Sequence, residues 1–267
     1  VQLNLSQTEK NINNNAENRL KRINEIIYKN KSDLLIFAEN DFPYIITDLK
    51  DLNFLANNLN ENQSIIIGGT KKENSKFFNT FILIEKNAIK YFNKIKLVPF
   101  GEFLPFRNLL FFFDGIVGKN DFSSGTVNRL IKTSYNLIAI PIICYEIIFF
   151  NDLLNNDNFN SELLVNITND SWFGNFSGPY QHFYISRMRA VEFNKPLIRV
   201  SNNGISAFID NRGKIIDYIP LNKSSILNSK ISIPYSLPNL IKYHSLIVIL
   251  FFLIFCFVLL INRKKND

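Results

Sequence analysis

The sequence predicts an α/β domain with a mixed sheet, followed by a C-terminal transmembrane helix. Three patterns support this fold class: apolar runs of strand length alternate with segments of helical spacing, hairpin signals interrupt that alternation, and a long apolar run lies near the end. The 267 residues are 46% hydrophobic and 20% charged, which is enough for one large core or two small ones.

The first third of the chain alternates between strands and helices. Leu20, Ile23 and Ile27 recur at helical spacing, which predicts a helix. Two continuous apolar runs predict buried strands, and a pair of glycines closes the second. The predicted elements are strands at Leu3–Leu5, Leu34–Ala38 and Ser64–Ile67 and helices at Ala16–Lys29 and Ile45–Leu59.

The rest of the domain contains more strands than helices. Asn211–Gly213 predicts a hairpin turn, and a helix is expected after Gly178 and Pro179. The predicted strands are Phe77–Glu85, Asn87–Phe92, Leu137–Cys144, Leu163–Thr168, Pro196–Ser201 and Ser206–Asp210, and the predicted helix is His182–Asn194.

The C-terminal apolar run predicts a membrane-spanning helix. Every residue of Leu246–Ile261 is apolar, and with Tyr243–Ser245 the stretch reaches the roughly 20 residues that cross a bilayer. Arg263–Lys265 follow at once, so the positive-inside rule places the tail in the cytoplasm and the domain on the other side. The expected organisation is a domain at 1–223, a linker at 224–242, the transmembrane helix at 243–262 and a basic tail at 263–267.

The N-terminal segment shows no export signal. Val1 is not methionine, and the strand-like Val1–Leu5 begins abruptly. An extracytoplasmic domain needs an export element, so we expect this chain to be the C-terminal part of a longer membrane protein.

Charge and cysteine content exclude several functions. The net charge is +7, but the lysines are scattered and not interleaved with aromatic residues, so no nucleic-acid partner is expected. The two cysteines and two histidines have no metal-ligand spacing, so we expect no metal and no cofactor. Cys256 lies inside the apolar run, which disfavours a disulfide with Cys144.

Three residues with catalytic chemistry follow predicted strands. Glu39, Lys94 and Cys144 each come where an apolar strand ends, and strand ends commonly form ligand sites at one rim of an α/β sheet. A carboxylate can act as base, a thiol as nucleophile and an ammonium as oxyanion stabiliser. Taken singly, each residue also fits an ordinary role: a core cysteine, a solvated glutamate and a surface lysine.

Four segments, in a fixed order along the chain, favour the catalytic interpretation of Glu39, Lys94 and Cys144. Lys94–Pro105 (KIKLVPFGEFLP) resembles the lysine loop of the apolipoprotein N-acyltransferases, a membrane branch of the nitrilase superfamily. Ile143–Glu146 (ICYE) resembles the nucleophile motif of that family. The third segment, Asn169–His182, resembles a downstream motif of the family, and the fourth combines the helix Arg187–Glu192 with the strand turn Ser201–Gly204.

The resemblance implies a nitrilase-like four-layer αββα sandwich and a Glu-Lys-Cys triad. In that reading Glu39 is the base, Lys94 stabilises the oxyanion and Cys144 accepts the acyl group, while Glu102, Tyr145 and Glu146 support the site. The family transfers an acyl group from a phospholipid donor, through the cysteine thioester, to the diacylglyceryl-cysteine amine of an apolipoprotein. It lies in the bacterial inner membrane with its catalytic domain in the periplasm.

Two departures from the family pattern are visible. The family begins with several transmembrane helices that this chain lacks, and Ala38–Pro43 (AENDFP) replaces its usual Trp-Pro-Glu-like start. Two other functions remain open: a membrane-anchored nitrilase-type amidase that passes the acyl group to water, and a membrane-tethered binding domain without activity.

Several further residues have open roles. Phe103–Phe113 fits an arm for acyl chains or bilayer contact as well as a buried element. Structural roles are favoured for Trp172 and His182. Arg189 and Glu192, three apart on a helix, are expected to form an ion pair.

Overall fold

Two β-sheets face each other in the computed structural model, which describes residues 1–6, 9–10, 15–107, 121–126, 129–134, 136–149, 153, 161–233 and 244–266. The first sheet contains β1 (Leu34–Ile36), β2 (Ile45–Ile46), β3 (Ser64–Glu73), β4 (Lys76–Glu85) and β5 (Ala88–Asn93). Its order is β1-β3-β4-β5, with β2 also paired to β3. β1 and β2 run parallel to β3, and the β3-β4-β5 meander is antiparallel.

The second sheet is also mixed. It contains β6 (Ile131–Lys132), β7 (Ile138–Ile143), β8 (Leu163–Thr168), β9 (Leu197–Ser201), β10 (Ser206–Ile209) and β11 (Ile215–Ile219). These strands lie in the order β11-β10-β9-β8-β7-β6. The central β7, β8 and β9 are parallel, and the outer strands pair antiparallel.

Helices cover the outer faces of both sheets. They are α1 (Ala16–Lys29) and α2 (Asn53–Asn57) on the first sheet and α3 (Ser177–Glu192) on the second, while the described side chains of α4 (His244–Asn266) pack on neither. Successive strand residues point to opposite faces, so β3 places Ile65 and Ile67 in the core with α1 and Ile66 in the core between the sheets. In the second sheet Ile140 packs outward with Phe183 of α3. The layers therefore form the predicted αββα sandwich.

Some predicted elements match the structure closely. The helix Ala16–Lys29 and the strand Leu163–Thr168 have the predicted bounds. The predicted hairpin turn at Asn211–Gly213 joins β10 to β11. The helix expected at His182–Asn194 begins earlier, at Ser177, because Pro179 fits the first turn of a helix, where its missing N–H has no partner to lose.

Two predicted elements were wrong. Leu3–Leu5 is not a strand, because Asn4 has a positive φ of 56° and its N–H bonds the Asn202 carbonyl instead of a sheet. Ile45–Leu59 is not one helix. Ile45 and Ile46 form β2, and Asp48 then caps a short 3₁₀ turn at Leu49–Leu52 by accepting from the Lys50 N–H.

The C-terminal helix α4 carries an exposed apolar surface. The side chains described between 246 and 258 are nearly all apolar and solvent-facing, among them Phe251 and Phe252. Counting only the described residues, no helix has the length and apolar character that a membrane crossing requires. The predicted span at 243–262 thus stays a prediction. Residues 108–113 of the predicted Phe103–Phe113 arm, residues 234–242 of the predicted linker and residue 243 of the predicted span lie outside the described residues.

Candidate active site

The C-terminal ends of β1, β5, β7 and β8 lie at one rim of the sandwich. β5 runs in the same direction as β1 because two antiparallel pairings separate it from β3, and β3 is parallel to β1. In the other sheet β7 and β8 are parallel. Glu39, Lys94 and Cys144 follow β1, β5 and β7, so the chain brings the three predicted residues to the same place.

Glu39 lies in a tight and almost fully buried position. The strand bearing Gly68 passes so close that a Cβ on Gly68 would lie 2.6 Å from the Glu39 Cα, so only glycine fits there. The sequence predicted that the strand ends at these glycines. Instead β3 continues through Gly68 and Gly69, and Gly68 permits the close approach to Glu39. The Glu39 carboxylate accepts from Asn79 Nδ2 at 2.7 Å and from the Asn169 N–H at 2.8 Å.

The backbone of Glu39 is anchored by a second buried pair. Lys10 Nζ donates to the Glu39 carbonyl at 2.7 Å and lies 3.1 Å from Asp41 Oδ1. The other oxygen of Asp41 accepts from the Ala38 N–H at 2.8 Å. The Lys10–Asp41 ion pair thus binds the backbone on both sides of Glu39, at the Ala38 N–H and at the Glu39 carbonyl.

Lys94 is enclosed by negative groups. Its Nζ lies 2.8 Å from Glu102 Oε2 and 3.7 Å from Glu39 Oε1, and only 1% of its side chain is exposed. Burial alone would lower the pKa of Lys94, but the charges of Cys144, Glu39 and Glu102 together raise that pKa above its usual value. Lys94 is therefore a permanent cation in the site.

Asn79 is a functional candidate that sequence reasoning missed. Its Nδ2 donates to Glu39 Oε1 and to Glu102 Oε1, each at 2.7 Å, so one amide joins the two carboxylates. Its Oδ1 is buried and has no hydrogen-bond partner among the described residues. Asn79 lies within a strand, where an isolated polar residue gives no sequence signal.

Cys144 occupies a turn that directly follows β7. Its φ is 51°, in the left-handed region that non-glycine residues rarely adopt, so the strand ends one residue earlier than predicted. Burial and the nearby Glu39 charge raise the pKa of the Cys144 thiol to about 12, although Lys94 opposes the shift. Burial likewise raises the pKa of Glu39 above the usual carboxyl value. The site therefore combines a thiol that is a weaker acid than usual with a carboxylate that is a stronger base than usual.

Glu146 connects the turn that holds Cys144 with the loop that follows Lys94. Its carboxylate accepts from the N–H groups of Ile143, Ile95 and Lys96 at 2.9, 2.8 and 3.1 Å. It also pairs with Arg129 through two hydrogen bonds of 2.8 and 2.9 Å, with both side chains fully buried. Burial alone would raise the pKa of Glu146, but these bonds and the Arg129 charge lower it. Glu146 thus supports the site through the backbone on both sides of it.

The rings of Tyr145 and His182 pack against each other next to Cys144. Their ring centroids lie 5.6 Å apart, and Phe173 packs against both rings. His182 is buried, with Nδ1 2.9 Å from Asp170 Oδ1 and Nε2 3.3 Å from the Cys144 carbonyl oxygen. His182 is thus packed in the core and also contacts Cys144, the candidate nucleophile.

Other sequence-predicted residues have mixed outcomes. The Arg189–Glu192 ion pair is present. Trp172 is 60% exposed, and the structural role expected for it stays a prediction. In the described part of the predicted Phe103–Phe113 arm, Leu104 is buried and Phe106 is exposed. This part is therefore neither an entirely exposed arm nor an entirely buried element.

Comparisons with a family model and with curated relatives agree on one family. Residues 1–235 match the carbon-nitrogen hydrolase family. The apolipoprotein N-acyltransferase of Rickettsia typhi (strain ATCC VR-144 / Wilmington) is 36% identical over 246 residues, which cover 85% of this chain and 48% of that protein. The enzyme of the same name from Rickettsia prowazekii (strain Madrid E) is 39% identical over 223 residues, covering 78% and 44%. The chain thus spans less than half the length of these curated relatives.

Solved structures show the same fold. A nitrilase superfamily member from Saccharomyces cerevisiae has a TM-score of 0.59 at 20% identity and covers 84% of this chain and 85% of its own. A CN-hydrolase superfamily protein of Xanthomonas campestris has a TM-score of 0.58 at 16% identity and covers 84% of both chains. At these identities the likeness concerns the fold alone.

Proposed function

The chain belongs to the carbon-nitrogen hydrolase family, and from that membership and the contacts of its site we propose that it is an acyltransferase of lipoprotein biosynthesis. It takes a fatty acyl group from a phospholipid and carries it as a thioester on Cys144. It then passes the group to the N-terminal amine of the diacylglyceryl-cysteine of a bacterial apolipoprotein. The names of the relatives support this reading over hydrolysis.

The observation that carries the proposal is the meeting of three groups at one rim. Lys94 Nζ lies 3.7 Å from Glu39 Oε1, and the charges of both residues act on the Cys144 thiol. Since burial raises the pKa of that thiol, it loses its proton as it attacks, and we assign the role of base to Glu39, whose charge acts on the thiol and whose own pKa is raised. The proposed catalytic residues are therefore Glu39, Lys94 and Cys144, with Glu102, Tyr145 and Glu146 in support.

Each half-reaction has a matching proton path. The sulfur attacks the acyl carbonyl carbon while Glu39 takes the thiol proton, and the oxyanion is stabilised by the Lys94 charge. The intermediate collapses to the thioester, and lysophospholipid leaves with the proton from Glu39. The lipoprotein amine then attacks the thioester, Glu39 accepts an amine proton and returns it to the departing sulfur, and the amide is released.

Exposed aromatic side chains in the segments that follow the site residues support a lipid substrate. They lie in the segments that follow each site residue: Phe100 and Phe106 after Lys94, Phe149 after Cys144, and Trp172 and Phe176 after Asn169. Apolar surface at this density is typical of contacts with lipids or other apolar partners. An acyl chain bound at Cys144 would find an apolar environment on this side of the rim.

The same proposal assigns a location and an organisation to the chain. Residues 1–223 are the catalytic domain, 224–242 the linker, 243–262 the membrane helix and 263–267 the cytoplasmic tail. The exposed apolar side chains of α4 and the basic residues near its C-terminal end support an anchor in the bacterial inner membrane. The catalytic domain then lies on the periplasmic side.

The first prediction tests the thioester. After incubation with phosphatidylethanolamine, mass spectrometry should find one acyl group on the peptide containing Cys144, and the Cys144→Ser variant should carry none. The Cys256→Ser variant is the matched control, because it removes the other free cysteine, and it should be acylated like the intact protein. An intact protein without an adduct, or an adduct retained in Cys144→Ser, would exclude the proposal.

A second measurement separates transfer from hydrolysis. The acylated protein is mixed with a diacylated lipopeptide, and the products are identified by mass. Transfer predicts an N-acylated peptide and little free fatty acid. The amidase alternative predicts fatty acid as the main product whether or not the lipopeptide is present.

A further inference from the structure

Two buried side chains contact the carbonyl oxygen of Cys144. His182 Nε2 of α3 lies 3.3 Å from this oxygen, and Asn166 Nδ2 of β8 lies 3.4 Å from it. Their residues are 2% and 0% exposed. Two separate elements therefore converge on one peptide oxygen next to the nucleophile.

His182 is itself held by a buried network. Its Nδ1 lies 2.9 Å from Asp170 Oδ1 and 3.2 Å from Arg199 Nη2. Arg199 and Asp170 are joined at 2.8 Å, and Ser201 donates to Asp170 at 3.0 Å. Because a carbonyl oxygen can only accept, the contact with Cys144 requires a proton on Nε2 of the imidazole. The contacts at both ring nitrogens thus hold the imidazole in position.

The peptide between Cys144 and Tyr145 links this network to the reaction. A trans peptide is planar, so its C=O and N–H point in opposite directions. A carbonyl held toward His182 directs the Tyr145 N–H to the other side of the same plane. Cys144 also has a φ of 51°, a conformation that neighbouring contacts must maintain for a non-glycine residue.

We propose that His182 is a positioning residue that aims the Tyr145 N–H at the oxygen of the bound acyl group, and this inference rests on the proposed acyl transfer at Cys144. When sulfur bonds to the acyl carbon, the π electron pair of the carbonyl moves onto its oxygen. The Tyr145 N–H donates to that oxyanion until the pair returns and the leaving group departs with the proton from Glu39. His182 never contacts the acyl group; it fixes the donor that does.

The test compares two reactions of the same thiol. Acylation by p-nitrophenyl butyrate passes through an oxyanion and is followed by the burst of p-nitrophenol. Alkylation by iodoacetamide forms no oxyanion and reports only the reactivity of the thiol. The variant His182→Phe keeps a ring beside Tyr145 and Phe173 but has no donor, whereas His182→Gln retains an amide donor.

The expected result is a separation of the two rates. His182→Phe should slow acylation by about 10- to 100-fold, the range expected when an oxyanion donor is misplaced, with alkylation changed by less than about threefold. His182→Gln should recover most of the acylation rate. Thr133→Val, which removes a buried hydroxyl far from Cys144, should leave both rates unchanged.

Other outcomes overturn the inference. Equal losses in both reactions would mean that His182 acts on the thiol or on folding, and no loss would mean that the carbonyl needs no support. If circular dichroism shows that His182→Phe is unfolded, Asn166→Asp provides the same test, because it removes the other donor and places its charge beside Arg199. The ester needs no lipid, so acylation by the ester without acylation by phospholipid would refute the proposed substrate and leave the inference intact.

Discussion

Asn79 controls the ionisation of the proposed base through one amide nitrogen. Its donation to Glu39 stabilises the carboxylate and lowers the pKa of that group against the effect of burial. Glu102 accepts a hydrogen bond from the same nitrogen. Loss of the amide would therefore leave the carboxylates of Glu39 and Glu102 with Lys94, among the described residues, as the one group that contacts both. The amide thus keeps Glu39 available as a base.

Replacing Asn79 with leucine should shift the acidic limb of the reaction to higher pH. Without the hydrogen bond the pKa of Glu39 rises, so Glu39 is protonated, and inactive as a base, at a higher pH than in the intact protein. The measurement is the rate of acyl-adduct formation against pH. At pH values below the shifted limb the variant should be slower, and at high pH the two rates should converge.

Thr80→Val is the matched control for this profile. Thr80 is the next residue of β4 and is equally buried, but its hydroxyl bonds the Phe78 carbonyl and Asn93. Its profile should keep the acidic limb of the intact protein. An Asn79→Leu profile that is lowered equally at every pH would contradict a role through the ionisation of Glu39.

Sequence patterns find residues at strand ends but not those within strands. Glu39, Lys94 and Cys144 could be predicted because each ends an apolar run, and the resemblance to known motifs then gave them roles. Asn79 and Lys10 touch Glu39 only through the fold, across sequence separations of 40 and 29 residues. No local pattern contains that information.

At the level of elements, Glu146 connects the turn after β7 with the loop after β5. The two segments come from different sheets, and one carboxylate accepts from the backbone of both. Its partner Arg129 is equally buried, so neither charge is solvated without the other. The relative position of Cys144 and Lys94 depends on this pair.

Replacing Glu146 with glutamine should lower the free energy of unfolding by about 3–5 kcal/mol, because it leaves the buried Arg129 charge without a counter-charge. Urea unfolding at pH 7 measures the loss. The pKa of Glu146 is lowered in the folded state, so its stabilisation is present above the unfolded pKa and is lost as pH falls through the folded pKa. The difference between the two proteins should therefore shrink in acid.

Glu192→Gln is the control for this experiment. It breaks the i,i+3 pair with Arg189 on α3, where Glu192 is 31% exposed and water can replace the partner. A loss below about 1 kcal/mol is expected there. Similar losses for Glu146→Gln and Glu192→Gln would show that the buried pair does not hold the two segments together.

The elements that sequence analysis assigned wrongly share a physical cause. Leu3–Leu5 and Ile45–Leu59 are short or weakly patterned segments, and their conformations are set by partners distant in sequence, Asn202 for the first and β3 for the second. The helix α1 was correct because its own apolar spacing decides its buried face. Local periodicity predicts an element only where no distant contact overrides it.

At the scale of the whole molecule, three apolar layers hold the sandwich while α4 leaves its apolar side chains in solvent. The core clusters lie between α1 and the first sheet, between the sheets, and between the second sheet and α3. In contrast, Leu246, Phe251 and Phe252 are each more than 60% exposed. Exposed apolar surface of this kind favours transfer into a lipid phase.

The intact chain should therefore bind phospholipid vesicles through α4, and the double variant Phe251→Asp/Phe252→Asp should not. An aspartate at the centre of a membrane helix costs about 2.5–3.5 kcal/mol, so two such substitutions would largely abolish partition into the bilayer. Flotation with vesicles of phosphatidylethanolamine and phosphatidylglycerol measures the bound fraction.

Tyr28→Asp/Tyr44→Asp changes two exposed aromatic residues of the domain and should float like the intact protein. Equal flotation of both double variants would show that the domain surface binds the vesicles and that α4 is not the anchor.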